Sequence, residues 1–397
     1  MADLALFSSP FAEVGRRGRY VIATLRAPAS VLSTCHVNGG LRRDLDHLVN
    51  HQSCEPAKHQ ERFELIVALG QAGYHGQVCA ELGLDPARTA VAGTAAAMQY
   101  PGVVTHRWAD LAVTAVVTAG VTGNAGCAGD AADYDERDGT WERTSPPAAP
   151  AHAPGTTGGT INTWLLLSSP LSDSALTRAV VTMTEAKASA LLELAIGSRR
   201  SFRPATGTGT DQFAIAAPQA GGPWRSWTGK HTKAGELIGR AVREATLEAL
   251  RWQNGLEPSY TRSLFHALGR FGLTEEAFKA AQKELLSERD FQLMRDNWNP
   301  VIYEPQLAAA SYAFAAVLDR VLAGTIGPAS ARESLLNQTA LMAAGLAAKP
   351  DEFAGFRREL APHLPPGPEA DPSVRIAAAV AVAQRAVAFG WRSKWSA

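Results

Sequence analysis

The chain has 397 residues, 46% of them apolar and 19% charged, with equal numbers of basic and acidic side chains. That composition supplies core for one large or two moderate globular domains. A formal net charge of zero offers no long-range field to draw in nucleic acid or an anionic membrane surface. The N-terminus lacks a basic segment ahead of a long apolar run, and no uninterrupted apolar stretch approaches the ~18–20 residues of a membrane span. Cys35, Cys54, Cys79 and Cys127 are few and irregularly spaced. They fit a reduced, cytoplasmic setting better than a disulfide scaffold.

In chain order, residues 19–25 and 30–37 read as two strands joined across Ala27-Pro28-Ala29. The second runs into Asn38, Gly39 and Gly40, which permit positive φ and close approach of backbone to a ligand. Residues 56–72 have helical spacing through Phe63, Ile66 and Val67, ending near Gly73. His47 and His51 stand four apart and would share a helical face. Leu48 takes the place of a zincin glutamate and no cysteine pair completes a set, so no metal site is expected. A strand from Thr89 is expected to enter a helix at Gly93-Thr94. Residues 110–119 form a β-branched run, read as a central strand covered on both faces. It opens into a glycine-rich turn from Gly120 through Asn124, a common place for a ligand in α/β proteins. Residues 131–158, acidic and then rich in Pro and Ala, read as a flexible insertion.

The densest chemistry lies between Gly155 and Ala217. Thr160–Leu167 is strand-like, and Ser172 or Asp173 can cap the helix that follows. On that helix Leu176, Val180, Met183, Lys187, Leu191 and Leu194 step by three or four and form one stripe. Lys187 therefore sits in an apolar face, where an ammonium needs a carboxylate, a lost proton or a cleft. Glu185 projects roughly opposite; Asp211, at the start of the next strand, is the natural partner. A snorkelling structural lysine is the competing reading. Residues 205–211 (Ala-Thr-Gly-Thr-Gly-Thr-Asp) form no Walker loop, but can present backbone N–H groups and hydroxyls to an oxyanion or amide. A further helix spans about 231–252, with Lys230, His231 and Lys233 at its start.

Together these segments resemble the adenosylcobinamide amidohydrolase family of corrinoid salvage. The carrying motifs are Val31-Leu-Ser-Thr with Asn38-Gly-Gly, Gly83-Leu-Asp-Pro with Thr94-Ala-Ala, Val117-Thr-Ala-Gly-Val and Gly159-Thr-Ile-Asn. Thr184-Glu-Ala-Lys, Ala205-Thr-Gly-Thr-Gly-Thr-Asp, Gly229-Lys-His-Thr-Lys and Glu236-Leu-Ile-Gly-Arg complete the ordered set, over residues 15–252. The resemblance implies hydrolysis of the linear amide that joins aminopropanol to the corrin side chain, with the corrinoid as substrate and no cofactor. It also departs from the family: residues 131–158 are longer than the usual connection, Gly126-Cys127 precede Ala128-Gly-Asp, and residues 256–397 lie outside it. The expected architecture is a layered α/β(α) catalytic core over 1–255, three layers in preference to an open doubly wound sheet. Residues 256–397 would form an all-helical C-terminal domain, a candidate partner or homo-oligomer surface.

Amide hydrolysis needs a nucleophile or activated water, an oxyanion-stabilising group and an acid for the amine. No G-x-S-x-G elbow is present. The candidates are Lys187 for developing charge or proton transfer, and Asp211 to hold it or activate water. Thr160 or Thr210 would be an alternative nucleophile, and His231 the acid. Asn162, Thr206 and Thr208 are expected to bind the amide. Asn38, Gly39, Gly40, Gly120 and Asn124 are expected to line the same pocket, with Trp164, Trp224 and Trp227 covering a corrin face. The rival readings are a hydrolase of the same fold repurposed for another amide or imine, and a non-catalytic corrinoid-binding protein.

Overall fold

The computed structural model describes residues 4–54, 59–144, 159–364 and 371–395. They divide into two compact units: Met1–Asp130, Pro154–Ile196 and Pro204–Leu256 in the first, Ala131–Ala153, Gly197–Arg203 and Glu257–Ala397 in the second. The first opens with β1 (Leu4–Ser8), β2 (Ala12–Arg17), β3 (Tyr20–Leu25), β4 (Ala29–Ser33), β5 (Gly40–Arg42) and β6 (His47–Gln52), then helix α1 (His59–Leu82). Next come β7 (Thr89–Thr94), β8 (Gly102–Trp108), β9 (Leu111–Ala119) and the short β10 (Ala125–Gly126). The hairpin β11 (Tyr134–Arg137) and β12 (Thr140–Arg143) belongs to the second unit. The first unit resumes with β13 (Ile161–Leu167), α2 (Asp173–Glu193), β14 (Gly207–Thr208), β15 (Gln212–Pro218) and α3 (Lys233–Asn254).

One sheet has the order β1-β2-β3-β6-β7, the other β5-β4-β15-β13-β9-β8. Alternation along each strand assigns its two faces. On β13, Ile161, Leu165 and Leu167 join the core under α2 and α3, while Trp164 and Leu166 join the core between the sheets. The outer face of the first sheet packs Val49 and Val91 against Val78, Cys79 and Leu82 of α1. The stack is therefore α1, sheet, sheet, α2 with α3: four layers where three were expected. The extra layer comes from β1, β2, β3 and β6, which pair with one another and close over the central sheet rather than extending it.

Contacts show how the sheets cross. Asn38, in the turn before β5, donates to Pro86 O and Thr89 O, both at 2.7 Å, where β7 begins. Asn162 on β13 donates to Gly93 O at 3.2 Å, near the end of β7. Three strand spacings, ~14 Å, separate β5 from β13, and four residues of strand span ~13 Å. β7 thus runs across the strands of the second sheet, an orthogonal packing.

β13 and β15 are parallel, with α2 as their crossover. The Ser172 hydroxyl accepts from Ala175 N–H at the start of α2, and Thr232 caps α3 in the same way; Gly255, at φ 65°, ends it. Both helices return against their strands. Their C-terminal ends therefore meet the starts of β13 and β15, beside the ends of β4 and β9.

Four local expectations change. Beyond Thr94 the chain bends and enters β8, which pairs with β9, and no helix forms there. His47 and His51 lie on strand β6, not on a helix, and His51 stacks between Tyr20 and Tyr74, with ring centroids 4.5 and 5.7 Å away. Among the described residues no group of three or more His, Cys, Asp or Glu side chains is placed to hold a metal ion. α1 continues to Leu82, interrupted at Gly70 (φ 65°). Within 131–158, residues 134–143 form a β-hairpin; 145–158 lie outside the described residues.

The second unit is built from α4 (Pro258–Thr261), α5 (Leu264–Leu268), α6 (Glu275–Leu285), α7 (Glu288–Asp296), α8 (Trp298–Ile302), α9 (Pro305–Leu322), α10 (Pro328–Ala347), α11 (Phe353–Leu360) and α12 (Pro372–Lys394). Phe278, Phe314, Met342 and Val387 are in its core. The 197–203 segment belongs to it: Arg270 donates to Phe202 O and pairs with both oxygens of Asp319 at 2.6 Å. α12 is long and apolar enough to cross a membrane, but over half of its most apolar window is buried inside the protein, as in the core helix of a bundle.

Candidate active site

Where β13 and β15 begin, Thr34, Ile161, Thr163, Met183, Thr184, Lys187, Asp211, Gln212 and Phe213 enclose a pocket of about 160 Å³. Lys187 reaches it from the apolar stripe of α2 and forms an ion pair with Asp211; both side chains are mostly buried, at 13% and 15% exposed. Asp211 also accepts from Ile161 N–H (2.9 Å), Thr208 N–H (3.0 Å) and the Thr208 hydroxyl (2.5 Å). Four donors saturate this carboxylate. It is built to hold Lys187 in place, with its lone pairs already taken up by these donors.

Gly207 makes the pair possible. A Cβ there would collide with the Asp211 carboxylate and lie 2.8 Å from Lys187 Nζ. The rest of the 205–211 loop is internally bonded. Thr206 N–H donates to Gly126 O (2.9 Å), Gly209 N–H to Asn124 O (3.3 Å) and Thr210 N–H to the Thr208 hydroxyl (3.4 Å). The Thr206 hydroxyl accepts from Ala128 N–H at 2.9 Å. With Thr208 N–H on Asp211, four of the loop's amides are already engaged in this conformation.

Thr160 and Thr210 come together, hydroxyl to hydroxyl, at 2.6 Å. Asn124 Nδ2 donates to Thr210 Oγ1 and to Gly159 O, each at 3.1 Å. This cluster ties the 120–130 turn to the starts of β13 and β15. Its hydroxyls are not part of the pocket lining. Gly120 is buried behind it: its N–H donates to Thr160 O, and a Cβ on Gly159 would meet Gly120 O at 2.6 Å.

Other expected residues lie elsewhere. Asn162 is 1% exposed and faces the first sheet, donating to Asn50 Oδ1 at 2.8 Å as well as to Gly93 O. The one-residue parity of β13 places it on the opposite side from Thr163. Its Oδ1 is buried without a partner among the described residues, as is Oε1 of its register neighbour Gln212. Asn38 has φ 59° and spends its side chain on Pro86, Thr89 and Arg42. Gly39 packs against Cys35 O and Gly40 has φ 74°, so all three shape a turn. His231 is exposed, in a turn held to α2 by Thr182 bonded to Thr228 O (3.0 Å) and by a Lys230–Glu185 pair (2.7 Å). Glu185 and Lys187 sit ~200° apart on the helix, so this turn does not join the Lys187 pocket. Trp164 is core between the sheets. Trp227, exposed, lies against Arg178, nine residues or ~14 Å along α2 from Lys187.

Sequence reasoning missed Thr34, Thr163, Met183 and Phe213 in the pocket, together with Gly207. Period-two reading of β13 from Ile161 would have found Thr163. Gln253 and Asn254 were also missed. They accept from Ala97 N–H (3.0 Å) and Val121 N–H (3.2 Å), so the end of α3 clamps the turns after β7 and β9.

A family model described as "CbiZ: Adenosylcobinamide amidohydrolase" matches residues 8–258. The chain is also 36% identical over 187 residues to the uncharacterized protein MJ1613 of Methanocaldococcus jannaschii, an alignment covering 46% of this chain and 71% of that one. The match takes in both sheets, the Lys187–Asp211 pair and the loops around it, and ends as the helical second unit begins. The chain therefore belongs to the adenosylcobinamide amidohydrolase family.

Proposed function

We propose that the protein hydrolyses the amide between aminopropanol and the corrin side chain of adenosylcobinamide, giving adenosylcobyric acid and 1-amino-2-propanol. The observation that carries this reading is the mostly buried Lys187–Asp211 pair on the wall of a small pocket. An ammonium fixed by a carboxylate is a preorganised positive charge, which stabilises the oxyanion of an amide undergoing attack. At about 160 Å³ the pocket is well below the ~300–1,000 Å³ that buries a drug-sized ligand. It suits the aminopropanol amide arm, with the macrocycle left outside. Lys187 acts on the carbonyl oxygen and Asp211 positions Lys187. Thr160, Thr210 and Asn124 tie the neighbouring turn to the starts of β13 and β15, and water is the nucleophile. The corrinoid is the substrate, and the reaction as written requires no cofactor.

Incubating purified protein with adenosylcobinamide and following the products by mass spectrometry tests the reading. Release of both the acid and the amino alcohol is expected. Tight binding of adenosylcobinamide without turnover would instead favour a corrinoid-binding protein.

A further inference from the structure

We propose that Thr163 is a catalytic hydrogen-bond donor which, with Lys187, forms a two-point oxyanion site for the amide carbonyl; this rests on the amidohydrolase reading above. Thr163 sits on β13 between Ile161 and Leu165, on the face covered by α2, and is 2% exposed. A central strand position with apolar neighbours is filled better by valine than by threonine, unless the hydroxyl has a use. This hydroxyl has no hydrogen-bond partner among the described residues, and Thr163 lines the same 160 Å³ pocket as Lys187.

The surroundings leave the role to side chains. The N–H groups of Thr206, Thr208, Gly209 and Thr210 are already bonded within the loops. From α2 only Met183, Thr184 and Lys187 line the pocket, well past its first turn, and no α3 residue does, so neither helix offers an N-terminal amide cluster. Lys187 uses one of its three ammonium protons on Asp211, and two remain for the pocket. With the carbonyl oxygen between Lys187 Nζ and Thr163 Oγ1, water adds to the carbonyl carbon and the oxygen takes up the negative charge. Collapse re-forms the carbonyl and breaks the C–N bond. The attacking water supplies the new acid oxygen, and its protons go to the departing amine. Lys187 and Thr163 end unchanged.

The test is steady-state hydrolysis of adenosylcobinamide by wild type, Thr163→Val and Thr163→Ser, with circular dichroism and thermal melts of each. Thr163→Val is expected to lose about 10²–10³-fold in kcat at nearly unchanged KM, the range for removing one oxyanion donor. Thr163→Ser, which keeps the hydroxyl, should stay within about fivefold of wild type. If Thr163→Val fails to fold, Thr163→Ala against Thr163→Ser gives the same comparison. A folded Thr163→Val with wild-type kcat, or an effect confined to KM, overturns the role of Thr163 alone. Absence of turnover by the wild type overturns the functional reading and this role with it.

Discussion

At the scale of single residues, Lys187 and Asp211 carry different burdens even though they form one pair. Removing Lys187 leaves Asp211 with the N–H groups of Ile161 and Thr208 and the Thr208 hydroxyl, so the carboxylate stays solvated by protein. Lys187→Met should therefore lower turnover by about 10²–10³-fold while shifting stability by no more than about 1 kcal/mol. Asp211→Asn is another matter. Its amide would turn an NH₂ toward donors that now point at an oxygen, and the lysine would lose its counter-charge. A loss of about 2–3 kcal/mol in stability accompanies the loss of activity. Urea unfolding beside turnover assays separates the two. Equal destabilisation by both substitutions would contradict the assignment of Asp211 as the residue that holds the site together.

At the scale of elements, the site is the place where a helix stripe, a strand start and a loop meet, and these differ in how far they can be read from sequence. The three- and four-residue steps of α2 place Lys187 on the apolar face, because helix period alone decides that. The alternation of β13 carries as much information, and it separates Asn162 from Thr163. Reading Gly159-Thr-Ile-Asn as one motif obscured that parity. The four donors on Asp211 come from a loop, a strand start and a helix, and no local pattern encodes such convergence. The first sheet is hidden for a related reason: β1 is a short, largely exposed strand and β2 mixes polar and apolar residues, and both become strands through pairing partners. Gly207 shows what a loop contributes. Gly207→Ala would drive Lys187 away from Asp211, because the carboxylate is pinned by backbone donors and the lysine is the part able to move. Turnover should fall at least about tenfold with little change in melting temperature. Gly209→Ala is the control, since its Cβ would meet Asn124 Oδ1 at 3.3 Å, which a small shift relieves. Equal activity losses in the two variants would count against steric protection of the pair.

Across the whole molecule, the two units give different readouts. In the first, α2 lines the pocket with Met183, Thr184 and Lys187, well past its first turn, and no helix N-terminus contributes to the lining. On the proposed reading, the positive charge for a developing oxyanion therefore comes from a side chain, Lys187. The same unit buries His51, and desolvation, aided by Arg19 and Arg62 and opposed by Glu81, pushes its pKa down from 6.5 to about 4. The unfolded chain then binds a proton below pH 6.5 that the native state refuses until about pH 4. Stability is flat above about pH 7.5 and falls as the pH drops through that window. Between pH 7.5 and 5.0 the loss is about 2 kcal/mol. His51→Gln should remove most of this difference in urea unfolding at the two pH values; an unchanged acid sensitivity would assign it to other groups. The second unit is discontinuous, which matters for truncation. Ending the chain after Leu256 removes Phe271 and Arg270, yet leaves Phe202, whose ring stacks on Phe271 at 6.1 Å and whose carbonyl accepts from Arg270. An apolar ring and an unpaired carbonyl would be stranded on the shortened chain. Residues 1–256 should bind a hydrophobic dye more strongly than the full chain, and Phe202→Ser in the shortened chain should reverse much of the increase. If the substitution leaves dye binding unchanged, the exposed apolar surface lies elsewhere, and 197–203 is not what couples the boundary at 256 to solubility.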